Sequence, residues 1–197
     1  MSFVLGLTGP TGAGKGVFSG VAKEFGFKVI DCDLKARKAV KKGMPGLSAL
    51  VSAFGESILL ESGELDRGKL ASVVFSSREN TELLNSTLLP YIRELVEKEI
   101  SGDLVLLDAP TLFESGIDAV CDKTVAVLAD VEKRKKRIME RDRLSVSAAD
   151  NRISAGKDDE FYTDRVDIVI KNDGDLKIFV KKVRIYLNDI VGGALYE

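Results

Sequence analysis

The chain has 197 residues, and its 29 Lys and Arg against 31 Asp and Glu leave a net charge of −2. At roughly 150 residues per domain, this length predicts one domain with an elaboration. The balanced charge gives no reason to expect nucleic acid or an anionic membrane as a partner. The sequence contains no histidine, which excludes Ser-His-Asp and Cys-His nucleophiles and histidine-ligated zinc. Any proton transfer must therefore use Asp, Glu, Lys, Tyr or Cys.

The two cysteines, Cys32 and Cys121, are too few for a four-cysteine metal site, and we expect reduced thiols. No basic segment precedes the first apolar run, and no later run approaches the roughly 18 residues of a membrane-spanning helix. We therefore expect a cytoplasmic protein without a membrane span.

Short apolar runs recur along the chain and predict buried strands. Each is uninterrupted by polar residues, which is typical of parallel strands covered on both faces. Helical stretches separate them, so the pattern indicates an α/β fold with a five-stranded parallel sheet. The runs are Phe3–Thr8, Phe27–Ile30, Leu104–Leu107, Thr124–Leu128 and Ile168–Ile170.

The longest gap between strands, residues 31–103, reads as helical throughout and predicts a helical insertion that builds one wall of a substrate cleft. Its main helix carries an apolar stripe at three- and four-residue spacing. A strongly basic helix is predicted from Lys133 to Arg143, followed by a polar segment, residues 147–163, that we expect to be mobile. The last helix should bury the stripe formed by Leu176, Val180, Val183, Leu187 and Ile190.

A glycine-rich segment, Gly9-Pro10-Thr11-Gly12-Ala13-Gly14-Lys15, follows the first predicted strand. It has the Walker A spacing G-x-x-x-x-G-K, in which backbone N–H groups wrap a phosphate chain and the lysine reaches its outer charges. The start of the next helix adds partial positive charge. Another kind of glycine-rich turn, or a dinucleotide loop, is the alternative, but a lysine in register favours a phosphate loop. Its predicted nucleotide contacts are Thr11, Gly12, Ala13, Gly14, Lys15, Gly16 and Val17.

Gly16 departs from this motif, because Ser or Thr usually follows the lysine and supplies a hydroxyl to magnesium. We therefore expect Mg²⁺ to be held more through water and carboxylates. Asp108 ends an apolar strand in the Walker B arrangement, which makes it a candidate ligand together with Asp33. Glu114 is a further candidate carboxylate.

Two aspartates, Asp31 and Asp33, follow the second predicted strand. Ligands of open α/β sheets bind beyond the carboxyl ends of the strands. In extended chain both carboxylates would point to one side, where one could accept a proton from a substrate hydroxyl and the other could orient it. The alternative is a capping role for Asp33 at the next helix.

Two arginines of the basic helix, Arg137 and Arg141, lie four residues apart and share a face. Lid arginines that reach nucleotide phosphates would have this spacing. The alternative is that both arginines belong to a solvated basic surface. Most of the other charged residues of this helix belong to such a surface under either interpretation.

Together these blocks resemble the dephospho-coenzyme A kinase family over about residues 6–173. The resemblance implies a P-loop kinase core, a helical substrate subdomain at 34–102 and a helical lid at 132–165, within one domain spanning 1–197. It also implies transfer of the ATP γ-phosphoryl group to the ribose 3′-hydroxyl of dephospho-coenzyme A. The blocks are the phosphate loop, Ile30-Asp31-Cys32-Asp33 with Ala36-Arg37, Phe54-Gly55 with Leu65-Asp66-Arg67, Leu84-Asn85 with Pro90, and Pro110-Thr111-Leu112-Phe113-Glu114-Ser115-Gly116.

By this resemblance Lys15 stabilises the transferring phosphoryl group, Asp33 is the base, and Arg141 is the lid arginine. Asn172 would lie beside the adenine of ATP. The implied substrate contacts are Asp31, Asp33, Arg37, Asn85, Leu112 and Glu114.

The partners implied are ATP with Mg²⁺ and the small-molecule substrate, without nucleic acid or membrane, and we expect a monomer or weak homo-oligomer. Two alternatives stay open. One is another nucleotide or small-metabolite P-loop kinase, and the other is a non-catalytic ATP-binding relative.

Overall fold

The computed structural model describes residues 2–74 and 76–194. Short 3-10 turns lie at Glu56–Ile58 and Ile117–Val120. In chain order the other elements are β1 (Phe3–Thr8), α1 (Lys15–Glu24), β2 (Lys28–Asp31), α2 (Cys32–Ala39), α3 (Pro45–Phe54), α4 (Arg67–Val74), α5 (Arg78–Glu97), β3 (Leu104–Asp108), β4 (Lys123–Leu128), α6 (Val131–Asp142), α7 (Val146–Ser154), α8 (Asp159–Thr163), β5 (Ile168–Lys171) and α9 (Leu176–Ala194).

The five strands form one parallel sheet in the order β2-β3-β1-β4-β5, so the predicted α/β class is confirmed. β1 lies in the middle, paired with β3 on one side and β4 on the other. Leu7 is in register with Asp108 of β3, and the backbone N–H of Ala109 donates to the carbonyl of Leu7 at 2.9 Å. The carboxyl ends of β1 and β3 therefore meet at one edge, where ligands of such sheets bind.

The chain falls into two compact units. The sheet unit comprises Met1–Ile30, Ser101–Leu112 and Asp118–Glu197, and the helical unit comprises Asp31–Ile100 and Phe113–Ile117. In the sheet unit, α1 and α9 cover the sheet through a core that removes apolar side chains from water. This core includes Leu5, Leu7, Phe18, Val125, Val127, Phe179, Val183 and Leu187.

In the helical unit, α5 packs against α2, α3 and α4. It buries Leu88, Ile92 and Val96, in agreement with the predicted apolar stripe. Its first turn is capped by Ser77, whose hydroxyl accepts from the backbone N–H of Asn80 at 3.1 Å.

The polar segment at 147–163 contains α7 and α8, whose first-turn N–H groups donate hydrogen bonds to Ser145 and Asp158. One expectation about local structure was wrong. In α9, Leu176 is 58% exposed and Phe179 is buried instead. The buried stripe of that helix therefore begins one turn later than predicted.

Cys32 and Cys121 are not joined by a disulfide. Among residues 2–74 and 76–194, no helix is both long and apolar enough to span a bilayer.

Candidate active site

The glycine-rich segment forms a loop between β1 and α1. Gly9, Gly12 and Gly14 have φ angles of 135°, 78° and 119°, values that side chains with a Cβ rarely adopt. The backbone N–H of Ala13 donates to the carbonyl of Pro10 at 3.3 Å. The loop thus has the wound backbone that the Walker A spacing predicts.

Other parts of the sheet unit lie tightly against this loop. A Cβ placed on Gly9 would lie 2.2 Å from the carbonyl oxygen of Val127. One on Gly14 would lie 2.4 Å from Nδ2 of Asn172, and one on Gly12 would lie 2.8 Å from the carbonyl oxygen of Arg134. These distances leave no room for side chains, so the glycines are required by packing as well as by φ.

Lys15 begins α1, and its Nζ donates to the carbonyl of Gly9 at 2.6 Å. The side chain therefore curls back over the loop, where its charge adds to that of the helix N-terminus. Gly16 is exposed, and a Cβ placed there would meet nothing within 4 Å. Val17 is half-buried.

Asp108 lies at the end of β3, beside the first turns of α1. Its Oδ2 accepts a hydrogen bond from the hydroxyl of Ser19 at 2.8 Å, and Ser19 is buried. Sequence reasoning missed Ser19, although its position four residues after Lys15 places it on the same helix face. The hydrogen bond fixes the orientation of the carboxylate at the sheet edge.

The side chains around Asp108 can be compared with the ligands that Mg²⁺ usually takes in proteins. Among the described residues, no group of three or more His, Cys, Asp or Glu side chains could hold a metal ion. Mg²⁺ usually takes one or two carboxylates together with water and substrate phosphates. The oriented carboxylate of Asp108 beside a phosphate loop fits a site of that kind.

Arg137 contacts the phosphate loop from α6. Its guanidinium donates to the carbonyls of Gly12 and Ala13, both at 3.3 Å, and to the carbonyl of Asn172 at 2.9 Å. Since carbonyl oxygens occupy these donors, Arg137 in this structure supports the loop.

Arg141 lies one turn further along α6 and is exposed. Its Nε and Nη2 donate to the two carboxylate oxygens of Asp142 at 2.7 and 2.8 Å, and Arg152 donates to the same carboxylate at 2.6 Å. The hydrogen bond from Arg141 is the main reason that the pKa of Asp142 lies below its usual value. Two arginines thus share one carboxylate within residues 132–165.

Asn172 follows β5 and is buried. Its Nδ2 donates to the carbonyl of Ala13 at 2.7 Å, and its backbone N–H donates to the carbonyl of Leu128 at 2.8 Å. The side chain therefore ties the end of β5 to the phosphate loop, next to Gly14.

In the helical unit, Asp31 and Asp33 lie on different elements, and the expectation that they share an extended segment was wrong. β2 ends at Asp31, and α2 begins at Cys32. Oδ1 of Asp31 accepts from the N–H of Leu34 at 3.0 Å, so Asp31 caps α2 and Asp33 lies in the first turn. The possible capping role therefore belongs to Asp31. Asp33 and Arg37 both have exposed positions on α2.

The remaining predicted substrate contacts differ in exposure. Asn85 is half-buried on α5, and Glu114 is half-buried, with its Oε2 enclosed and lacking a hydrogen-bond partner among the described residues. Leu112, in the sheet unit, is fully buried, and its Cδ2 would lie 3.0 Å from a Cβ on Gly6. Its side chain therefore fills the core beside β1.

A parallel sheet whose central strand runs into a Walker A loop, with an aspartate ending the neighbouring strand, defines the P-loop class of nucleoside triphosphate-binding proteins. Comparison with known proteins gives the particular family: the sequence model of the Dephospho-CoA kinase family matches residues 3–177. The chain belongs to the Dephospho-CoA kinase family.

Individual relatives agree with this assignment. The chain is 36% identical over 197 residues to the Dephospho-CoA kinase of Enterococcus faecalis, covering 98% of this chain and 99% of that protein. It is 41% identical over 179 residues to the Dephospho-CoA kinase of Arabidopsis thaliana, covering 88% and 77%. The crystal structure of TT1252 from Thermus thermophilus superposes with a TM-score of 0.77 at 30% identity, covering 95% and 97%. The family predicted from the sequence blocks is confirmed.

Proposed function

We propose that this protein transfers the γ-phosphoryl group of ATP to the ribose 3′-hydroxyl of dephospho-coenzyme A. The products are coenzyme A and ADP. The family match over residues 3–177 carries the proposal, and the wound loop ending in Lys15 supports it, because such loops hold the phosphates of nucleoside triphosphates.

The reaction forms a bond between the 3′-oxygen and the γ-phosphorus and breaks the bond from that phosphorus to the β–γ bridging oxygen. ADP leaves with the electron pair of the broken bond. Asp33, an exposed carboxylate in the first turn of α2, would take the proton of the attacking hydroxyl. No covalent intermediate with the protein is required.

The loop N–H groups and Lys15 would hold the phosphate chain and stabilise the charge that develops on it. Arg141 would add a further positive charge, after exchanging Asp142 for phosphate oxygens. Asp108 would hold magnesium, in part through water, and the ion when bound neutralises charge on the phosphates. The side chains at this site position the reacting groups and neutralise the charge of the phosphates, and neither task requires histidine. The absence of histidine from the sequence is therefore compatible with phosphoryl transfer.

The substrate would be held by residues of the helical unit together with Leu112, which directly precedes the second stretch of that unit. Arg37 is an exposed cation suited to a phosphate of dephospho-coenzyme A. Asp31, Asn85 and Glu114 would contribute polar contacts, and Leu112 would contribute through its backbone. We propose residues 34–102 as the substrate subdomain and 132–165 as the lid.

The test is ADP release by the purified protein with ATP and magnesium, compared among dephospho-coenzyme A, AMP and no acceptor. We expect release only with dephospho-coenzyme A, with coenzyme A identified as the second product. Equal or greater turnover with AMP would assign another nucleotide kinase activity. ATP binding without turnover on any acceptor would assign a non-catalytic binding protein.

A further inference from the structure

Arg134 is a buried arginine in the first half of α6. It is only 4% exposed, and its Nε is enclosed and has no hydrogen-bond partner among residues 2–74 and 76–194. The ion pairs of the described chain do not include Arg134 either. Burying a guanidinium without an anion is costly, and proteins rarely keep such a group without a use for its charge.

Three carboxylates in and around α6 already have other partners. Asp130 accepts from the N–H groups of Glu132 and Lys133 at the start of α6. Asp150 forms an ion pair with Lys135 at 2.5 Å. Asp142, as described above, binds two arginines. The partner of Arg134 is therefore to be sought in a ligand.

The position of Arg134 indicates which ligand this is. A Cβ on Gly12 would lie 2.8 Å from the carbonyl oxygen of Arg134, 3.1 Å from its Cα and 3.0 Å from Cγ2 of Ile138. The backbone of Arg134 therefore lies directly beside the phosphate loop. Ile138 and Arg141 follow it by four and seven residues, so all three share the helix face that lies against the loop.

We propose that Arg134 binds the polyphosphate of the nucleotide, as a nucleotide-binding residue additional to Lys15 and Arg141. This inference rests on the proposed function for its ligand, a nucleoside triphosphate. An anion bound beside the phosphate loop supplies the opposite charge that the buried guanidinium lacks in the protein alone. A guanidinium is well suited to this role because its fork of donors matches phosphate oxygens.

The test compares Arg134→Met with Lys136→Met, which removes the same charge from an exposed position on α6. ATP, ADP and AMP binding are measured by calorimetry without acceptor, and melting temperatures are measured with and without ATP. For Arg134→Met we expect ATP affinity to fall about tenfold or more, the worth of one charged hydrogen bond. The loss should be larger for ATP than for AMP, and the melting temperature without nucleotide should not decrease. Lys136→Met should bind ATP as the unaltered protein does.

Two results would overturn the proposal. One is an ATP affinity of Arg134→Met equal to that of Lys136→Met. The other is a lower melting temperature without nucleotide together with an equal loss of affinity for ATP and AMP, which is what a purely structural arginine would give. Arg134→Lys guards against misfolding of the methionine variant, since it keeps the charge and should recover part of the ATP affinity.

Because no acceptor is present, these measurements do not depend on the transfer reaction. An ATP-binding defect of Arg134→Met in a protein that fails to phosphorylate dephospho-coenzyme A would overturn the proposed function and leave this inference standing.

Discussion

Gly14 and Gly16 differ by two positions and should respond oppositely to alanine. Gly14 has φ 119° and ψ 19°, and its added Cβ would lie 2.4 Å from Nδ2 of Asn172. That amide donates to the carbonyl of Ala13 at 2.7 Å and would have to move. Gly16 lies within α1 without a positive φ, and its added Cβ would contact nothing within 4 Å.

The expected magnitudes follow from these two environments. An alanine forced into left-handed backbone costs about 1–2 kcal/mol, and the displaced amide loses a hydrogen bond worth about 1 kcal/mol. Gly14→Ala should therefore lower the free energy of unfolding by about 2–3 kcal/mol, which corresponds to a melting temperature lower by roughly 4–12 °C. Gly16→Ala should raise the free energy of unfolding by about 0.4–1 kcal/mol, because alanine lowers the conformational entropy of the unfolded chain. In the folded protein the added methyl group meets no other atom within 4 Å.

The assay is urea unfolding followed by circular dichroism, without nucleotide, with the slope of the free energy against urea checked for constancy. The variant Gly14→Ala/Asn172→Ala separates clash from backbone strain. If Asn172 opposes the new methyl group, the double variant should be less destabilised than the sum of the two single variants by about 0.5 kcal/mol or more. Equal stability of Gly14→Ala and Gly16→Ala would refute the reasoning.

Three further substitutions test single side chains. Lys15→Ala should weaken ATP binding and abolish phosphoryl transfer, whereas Asp33→Asn should abolish transfer and leave ATP affinity largely intact. Calorimetry measures the ATP affinity and ADP release measures the transfer, and near-normal turnover of either variant would contradict the role assigned to that residue. Tyr186→Phe should raise stability by about 1 kcal/mol, since the hydroxyl is buried without a partner among the described residues. Burial raises the pKa of Tyr186 from 10.0 to about 12, so above pH 10 the unfolded chain loses this proton first and stability falls as pH rises. Unfolding midpoints between pH 9 and 12 should fall less steeply in Tyr186→Phe, and identical slopes would contradict the burial argument.

The sequence was a good guide wherever one local pattern determined the structure. The apolar run before Asp108 predicted β3, because a strand covered on both faces cannot accommodate polar residues. The loop from Gly9 to Lys15 was predicted for a similar reason, since glycine spacing and a lysine in register admit few backbone conformations.

Local patterns failed where a single capping side chain decided the outcome. Asp31 ends β2 and starts α2, so the alternation that would place Asp31 and Asp33 on one side stops after the first residue. Asp is a typical N-cap residue, so the start of α2 at Asp31 could have been recognised from the sequence.

The roles within α6 could not be predicted, because they depend on contacts distant in sequence. Arg134, Arg137 and Arg141 belong to one basic run but differ in their contacts. Arg134 is buried without an anionic partner in the described part of the chain, Arg137 donates to loop carbonyls, and Arg141 is paired with Asp142. No periodicity distinguishes a buried arginine from an exposed one when the apolar surface facing it belongs to another element.

These contacts bear on how the loop can bind a nucleotide. Arg137 and Asn172 both donate hydrogen bonds to carbonyls of the loop. In phosphate loops it is the backbone N–H groups that bind phosphate. Carbonyls fixed by protein donors leave those N–H groups available for the ligand. Little of the binding free energy is then lost in ordering the loop, which is the condition for stabilising the transferring phosphoryl group with a preorganised site.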